Sequence, residues 1–385
     1  MQGARRPRWR TSALAIALML FAAGCGGGSG QTAGDGTCPE GGVAIAFFGP
    51  LTGNNSPQLG INVRNGVALA VEQYMAGNPE CPVELVQLDS QGDPAQAPAL
   101  AQQAVQSARI VAVVGPTFSG ESNAADPIFD EAGLPTITPS ATNPGLSTHD
   151  WDIFHRAVAT DGQQGPAAAT HIAQTLGASR VAVIDDRSEY GLGLADAVRA
   201  ALGDAVVHND AIDTAAQDYS STVNGVSAAD VDAIFFGGYY QQGGLLLKQL
   251  RDAGVTATFI SGDGSRDEQL IAVAGEPAAQ GALLTCPCAP NDQLQGGAEF
   301  VSAYTEAYGR PGIYAAEGFD VANMLLEAIR QGQTDRASIN EWLNTASYDG
   351  ITKTLMFQPN GEISGGQIYL YEVRGSELAG VGPIG

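Results

Sequence analysis

The sequence predicts an α/β protein of two Rossmann-like lobes, each a parallel sheet flanked by helices. Short apolar runs alternate along the chain with longer segments of helical spacing. That pattern restarts once, near Phe154–Asp161, and leaves two sets of similar size. The length of 385 residues, at roughly 150 per domain, allows two or three domains.

In the first set, Val43–Phe48 is a strand run ended by Gly49-Pro50, and Ile61–Tyr74 carries apolar residues at helical spacing. Val83–Asp89 reads as a strand, and Pro94–Ala108 as an Ala-rich helix opened by Asp93-Pro94. Ile110–Val114 is an apolar strand ended by Gly115-Pro116, followed by a helix to about Ala132 and a strand at Pro135–Thr138. Strand-helix repetition with short polar turns argues for a parallel sheet covered on both faces. In the second set, helices are expected at Asp161–Gly177, Gly191–Leu202, Tyr219–Ala229 and Gln242–Ala253. Strands are expected at Val181–Asp185, Ala205–His208, Ala233–Phe236, Thr258–Ser261 and Ala282–Thr285. Helical patterns at Ala298–Tyr308, Tyr314–Gln331 and Ser338–Asn344 precede two closing strands, Leu355–Phe357 and Gln367–Val373.

The N-terminus reads as an export signal over residues 1–24. Arg5, Arg6, Arg8 and Arg10 form a positive segment, and Ser12–Ala23 is an apolar run too short for a stable membrane span. It ends in Ala22-Ala23-Gly24-Cys25, small residues before a Cys that resemble a bacterial lipobox, so Cys25 is expected to be lipidated. A Gly-rich tether, 25–41, follows. No other apolar stretch approaches the length of a span. The chain has 41 acidic residues against 18 basic, and removing the four N-terminal Arg takes the net charge from −23 to −27. A body this acidic repels phosphate backbones, so nucleic-acid binding is not expected.

An exported chain admits disulfides. Cys38 and Cys81 precede neighbouring candidate strands and are the preferred pair, while Cys286 and Cys288 form either a tight local disulfide or two free thiols. Their spacing lacks the matching second pair of a zinc site, and no metal or cofactor is expected. Neither a Gly-x-Ser-x-Gly elbow, a His-Glu-x-x-His pair nor a Walker loop occurs, and the four His are scattered, so the chain is not expected to be an enzyme.

The polar chemistry gathers in loops after strands, where α/β folds bind ligands. Gly115-Pro116-Thr117-Phe118-Ser119-Gly120 leads into a helix N-terminus suited to a carboxylate. Taken alone, Ser119 reads better as a cap of its own helix. Pro139-Ser140-Ala141-Thr142-Asn143, Asp185–Gly191, Gly237-Gly238-Tyr239-Tyr240 and Gly262-Asp263-Gly264 occupy equivalent positions. Hydroxyls on one lobe, with aromatics and a carboxylate on the other, suit a zwitterion.

From about Gly42 to Val373 the chain resembles the type I periplasmic binding proteins for branched-chain amino acids. The resemblance rests on Ser140–Pro144, Gln164-Gly165-Pro166, Tyr190-Gly191 with Gly193-Leu194-Ala195, and Phe236–Tyr240. It implies two hinged lobes, 42–157 with 288–356 and 158–287 with 357–385, joined near Arg156–Asp161, Cys286–Asn291 and Phe357–Gly361, the Cys286–Cys288 segment stiffening one hinge strand. It further implies the lipid-anchored, extracytoplasmic, monomeric solute receptor of an ABC importer, with a membrane permease as partner and an aliphatic amino acid as ligand. Ser119 and Thr142 match the residues that hold the ligand carboxylate. Thr142, the Ser140 carbonyl and Asp263, a Glu in relatives, match those that meet the ammonium. Tyr239 and Tyr190 match aromatic contacts, and Leu59 and Tyr314 match further wall positions. Thr117 and Phe118 stand where the family has an apolar residue and a Cys, and Gly92 where that Cys has its disulfide partner. A sensory module of the same fold, or a receptor for an amide or carboxylate, are the alternatives.

Overall fold

A computed structural model describes residues 37–385. The signal segment, Cys25 and the tether up to residue 36 lie outside the described residues. The first sheet is built from β1 (Val43–Gly49), β2 (Val83–Asp89), β3 (Ile110–Val114), β4 (Thr136–Thr138) and β5 (Phe154–Arg156) in the order β2-β1-β3-β4-β5. Every pairing in it is parallel. The second sheet contains β6 (Val181–Asp185), β7 (Val206–Ala211), β8 (Ala233–Gly237), β9 (Thr258–Ser261) and β10 (Leu283–Cys286). After a small two-stranded ladder, β11 (Tyr348–Asp349) and β12 (Thr354–Leu355), the chain adds β13 (Ile368–Arg374) and β14 (Glu377–Ile384) to that second sheet, whose order is β14-β13-β10-β9-β8-β6-β7.

Each residue of β1, β3, β6 and β8 is buried, as continuous apolar runs in a sheet covered on both faces require. The covering helices are α1 (Pro57–Ala76), α2 (Ala97–Gln106), α3 (Ser119–Glu131), α4 (Asp161–Thr170), α5 (Glu189–Leu202), α6 (Ser220–Ala229) and α7 (Tyr240–Asp252). They continue with α8 (Glu268–Ala274), α9 (Glu276–Ala279), α10 (Gly297–Tyr308), α11 (Ala315–Arg330) and α12 (Arg336–Leu343). The late helices return to the first sheet, where α11 packs along α1 and α12 against β3.

The second sheet departs from the purely parallel expectation at one edge. There β13 runs antiparallel to β10, and β14 antiparallel to β13. The sequence hides β14 because Gly380, Gly382 and Pro383 read as loop, yet an edge strand tolerates Pro where a central one does not. Helices α8 and α9 are too short to show a periodic pattern; Asp267 caps the first by accepting from Gln269 N at 2.9 Å. The helix expected from Pro94 begins at Ala97 instead. The Asp93 carboxylate accepts from Ala95 N at 3.0 Å and holds a turn, which leaves Pro98 in the first helical turn. Cys38 is bonded to Cys81, and Cys286 to Cys288.

The chain passes between the sheets after β5, after β10 and after β12, and these passages are tied together. Arg156, at the end of β5, is fully buried and pairs through Nη2 with Glu362, beyond β12, while its Nε donates to the same carboxylate at 3.1 Å. Its Nη1 donates to the carbonyls of Ala141 (3.1 Å) and Asn143 (2.7 Å). Arg156 N donates to Gly361 O at 2.9 Å, an approach only glycine permits, since a Cβ on Gly361 would lie 1.9 Å from Phe154 O. Lys353 Nζ donates to Ala157 O at 3.1 Å. Removing one partner of a buried ion pair strands the other, so Glu362→Ala should lower the unfolding free energy by about 3 kcal/mol, measured by urea denaturation near neutral pH.

Candidate functional site

The loops after β3, β4, β8 and β9, the start of α1, the first turn of α5 and the residue before α11 converge between the two sheets. Leu59, Thr117, Phe118, Ser119, Ser140, Tyr190, Tyr239, Asp263 and Tyr314 line one cavity, joined by Gly264. Thr142 does not line it. Thr142 is fully buried one layer behind, its carbonyl accepting from Asp161 N at 3.0 Å.

Asp263 is the electrostatic centre. Tyr190 Oη donates to its Oδ1 and Tyr314 Oη to its Oδ2, both at 2.8 Å. Tyr190 Oη also accepts from Gly264 N at 2.9 Å. Burial pushes the Asp263 carboxyl up, against the pull of the hydroxyls of Tyr314 and Tyr190 and the Gln164 amide. Burial, with Asp263 next, holds the phenols of Tyr190 and Tyr314 far above their ordinary range, so both remain donors. Glycines on either side of Asp263 make the room: a Cβ on Gly262 would sit 2.5 Å from Tyr190 Oη, and one on Gly264 2.5 Å from Tyr190 Cε1. Tyr314 reaches Asp263 from a left-handed backbone conformation, φ 58°, a strained state that clusters at functional sites.

Tyr239 stacks on Phe118 with ring centroids 4.4 Å apart and leans on Tyr190 at 5.1 Å. Its backbone N–H donates to Asp186 Oδ2 at 3.3 Å, and burial raises that carboxyl to about 6. Phe118 fills the space beside Gly92, where a Cβ would lie 3.2 Å from Phe118 Cε2. Ser119 is the first residue of α3 rather than its cap. Its Oγ accepts from Asn143 N at 3.3 Å, joining the two loops of the first sheet. Ser140 Oγ donates to Thr117 O at 2.8 Å.

The two halves are pressed together. Asn143 Nδ2 donates to Glu189 O (2.9 Å), Gln58 N to Tyr240 Oη (3.3 Å) and Asn62 Nδ2 to Asp267 Oδ2 (3.3 Å). The space left among the site residues is about 10 Å³, near the minimum for one water. Phe118 and Tyr239 also wall a second cavity of about 670 Å³, which reaches Asp93, Glu189 and Asp213 between the same halves.

Sequence reasoning gave no site role to Gly264, Asp161, Gln164 or Glu121, although Gly264 stands in one of the strand-end loops and Gln164 in a motif that carries the resemblance. Asp161 read as the end of a crossover and the start of a helix, and Glu121 as part of the loop leading into one. The Glu121 carboxyl is buried below Thr117 and Phe118, where it binds Ser90 Oγ and accepts from Phe118 N at 3.1 Å. Among the described residues, no group of His, Cys, Asp and Glu is arranged to hold a metal ion.

Residues 42–377 match the periplasmic binding protein family. The chain therefore belongs to it, and within it to the type I class that includes the branched-chain amino acid binding proteins. It is 30% identical to the Leu/Ile/Val-binding protein of Escherichia coli K12 over 336 residues, 86% of this chain and 90% of that protein. It is 29% identical to a leucine-, isoleucine-, valine-, threonine- and alanine-binding protein of Pseudomonas aeruginosa, over 86% of this chain and 89% of the other. Among solved structures, a leucine-binding protein of Thermotoga maritima superposes with a TM-score of 0.81 at 29% identity, covering 89% of this chain and 98% of that one. The isoleucine complex of a substrate-binding protein from Streptococcus pneumoniae shares the fold, with a TM-score of 0.82 at 24% identity, covering 89% and 100%.

Burial raises Glu121 from its ordinary 4.5 to about 7, against the hydrogen bonds it accepts. The unfolded chain ionises first as pH rises, so the stability held by the neutral carboxyl is full below about pH 4.5 and lost by about pH 7. Glu121→Gln should flatten that part of the profile and leave the variant more stable than the parent at alkaline pH, by up to about 3 kcal/mol. Thermal midpoints across the pH range check both sign and window.

Proposed function

We propose that the chain is the solute receptor of an ABC importer and closes its two lobes on an aliphatic amino acid. One observation carries this reading: the Ser119 and Ser140 loops of one half face Asp263 of the other across a cavity walled by Leu59, Phe118 and Tyr239. Ser119 holds the ligand carboxylate at the start of α3, where N–H groups and the helix dipole favour an anion, and Thr142, one layer behind the cavity in this closed form, joins it once the loop rearranges on ligand entry. Asp263, Thr142 and the Ser140 carbonyl take the ammonium, and Tyr239 reaches the carboxylate on closure. Leu59, Thr117 and Phe118 face the side chain, with Tyr190 and Tyr314 framing the acid. The names of the relatives in Escherichia coli and Pseudomonas aeruginosa support an aliphatic ligand. A volume of about 10 Å³ admits no amino acid, so entry requires the lobes, divided at 157, 287 and 356, to swing apart. The same reading takes the protein as a monomer outside the cytoplasm, working with a membrane permease and held to the membrane through lipidated Cys25.

A carboxylate lacking the ammonium is the second reading. One feature favours it: both Asp263 oxygens already accept from tyrosines.

A thermal-shift screen over all amino acids and aliphatic carboxylates tests the proposal. A few aliphatic amino acids should raise the midpoint, and Ser119→Ala should weaken the best of them about tenfold by calorimetry. No stabilisation by any amino acid would refute the receptor reading. Cys25→Ser should move the protein from the membrane to the soluble fraction, as cell fractionation reads directly; continued sedimentation with membranes counts against lipidation.

A further inference from the structure

Beyond the residues around Asp263, the same two halves enclose the cavity of about 670 Å³. That is an ordinary size for a small-molecule site, which runs from about 300 to 1,000 Å³. Two rings stand between it and the inner pocket. Phe118 follows β3 of the first sheet and Tyr239 follows β8 of the second, so their stack at 4.4 Å is a contact between halves. Both rings wall both cavities. Parting the halves parts the rings and joins the two spaces.

Gln242, in the first turn of α7, lines the outer cavity. It is only 6% exposed, and among the described residues its side-chain amide has no hydrogen-bond partner. A buried amide left unpaired is costly and rare in native folds, and one that faces an open space marks a place for a ligand group. The charges around it are mostly negative: Asp93, Asp186, Glu189 and Asp213 against Arg187. Asp186 is already committed, accepting from Ser188 N (3.0 Å) and Tyr239 N (3.3 Å) at the starts of α5 and α7. Glu121 does the same for Phe118 N at the start of α3 (3.1 Å). These acids offset the positive ends of the helices. Asp93 and Asp213 each engage one nearby backbone N–H through Oδ1, Ala95 and Ala215, which leaves Oδ2 of both, and the whole Glu189 carboxylate, to the cavity side.

We propose that the outer cavity is a subsite for a cationic side-chain end, so that the receptor also takes basic amino acids such as L-arginine and L-lysine. The aliphatic stem lies between Phe118 and Tyr239, and the guanidinium or ammonium donates to the Gln242 carbonyl oxygen among Asp93, Glu189 and Asp213. This rests on the reading of the cleft as an amino-acid site, and it adds a side-chain class to the aliphatic one. An apolar collar followed by an acidic chamber meets such a side chain in its own order, carbon first and charge last. A guanidinium also stacks on aromatic faces and offers a fork of donors. An anionic side chain meets net repulsion in the same place, since three acids face one Arg187.

The test is isothermal titration with L-arginine, L-lysine, L-leucine and L-norleucine, the last having lysine's stem without its charge. L-Arginine and L-lysine should bind at least about tenfold more tightly than L-norleucine, and added salt should narrow that margin. Gln242→Leu, similar in shape without the amide, should lower the arginine-to-norleucine affinity ratio about tenfold. Asp213→Asn, which keeps the oxygen that Ala215 N uses, should lower it about threefold. A ratio taken within one variant is insensitive to a general loss of folded protein, and Asp213 is exposed, so its replacement leaves the core untouched. Basic amino acids bound no better than L-norleucine, or a ratio that both variants leave within about twofold of the parent's, would overturn the subsite while the aliphatic reading stands. A parent that binds no amino acid of either kind brings down the receptor reading and the subsite with it.

Discussion

The structure turns on a buried carboxylate held from both sides. Tyr190 reaches Asp263 from its own half, and Tyr314 crosses from the other, each at 2.8 Å. Hydrogen bonds to a charged acceptor inside a dry cleft are strong, and leaving such an acceptor unpaired is costlier than the bond itself is favourable. The shut form without a solute is therefore stabilised by the type of contact a ligand ammonium would make. On the proposed amino-acid reading, entry is an exchange of donors around Asp263, and the net gain on binding is the surplus of the new contacts over the tyrosine contacts given up.

The aromatic wall follows from the same constraint. A carboxylate placed after β9 must be screened from water for its hydrogen bonds to hold, and Tyr190, Tyr239 and Phe118 do so as a contiguous set of rings. The glycines flanking Asp263 let the first of these rings lie against the chain. Phe118 belongs to two cavities at once, the small one around Asp263 and the larger one beyond. Its ring shortens the inner pocket and sets it apart from the acidic space outside.

Much of this was legible in the sequence because buried parallel strands advertise themselves. Runs such as Val181–Asp185 and Ala233–Gly237 are apolar throughout, and their helices carry clear spacing. The residues at strand ends were legible through their types: hydroxyls near Ser119 and Ser140, aromatics at Tyr190 and Tyr239, an acid at Asp263. What escaped was structure without a pattern. Strand β14 is half glycine and proline in its second part, and α9 is a single turn. Thr142 lies behind the cavity rather than on it, and the spacing of a loop does not encode which of its residues faces the ligand. Asp161 and Glu121 were hidden for another reason. An acid in a first helical turn reads as a solvated dipole partner, and only three-dimensional burial distinguishes it from one that has lost water on every side.

Arg156 links these two levels. Its guanidinium holds the carbonyls of Ala141 and Asn143, the neighbours on either side of Thr142, and the carboxylate of Glu362 beyond β12. Its backbone N–H is bonded to Gly361 in the same late passage. The loop proposed to grip the solute and the passages proposed as hinges therefore share one buried cation. In the proposed hinge motion, rotation at the passages would act on the Thr142 loop, because stretching either set of bonds leaves a buried charge or carbonyl unpaired. Asn143, held on its carbonyl by Arg156, meanwhile donates through Nδ2 to Glu189 on the opposite half. The passages, the Thr142 loop and the facing half thus form one continuous hydrogen-bonded path through Arg156 and Asn143, which ties the closed geometry of the cleft to a buried cation outside the cavity.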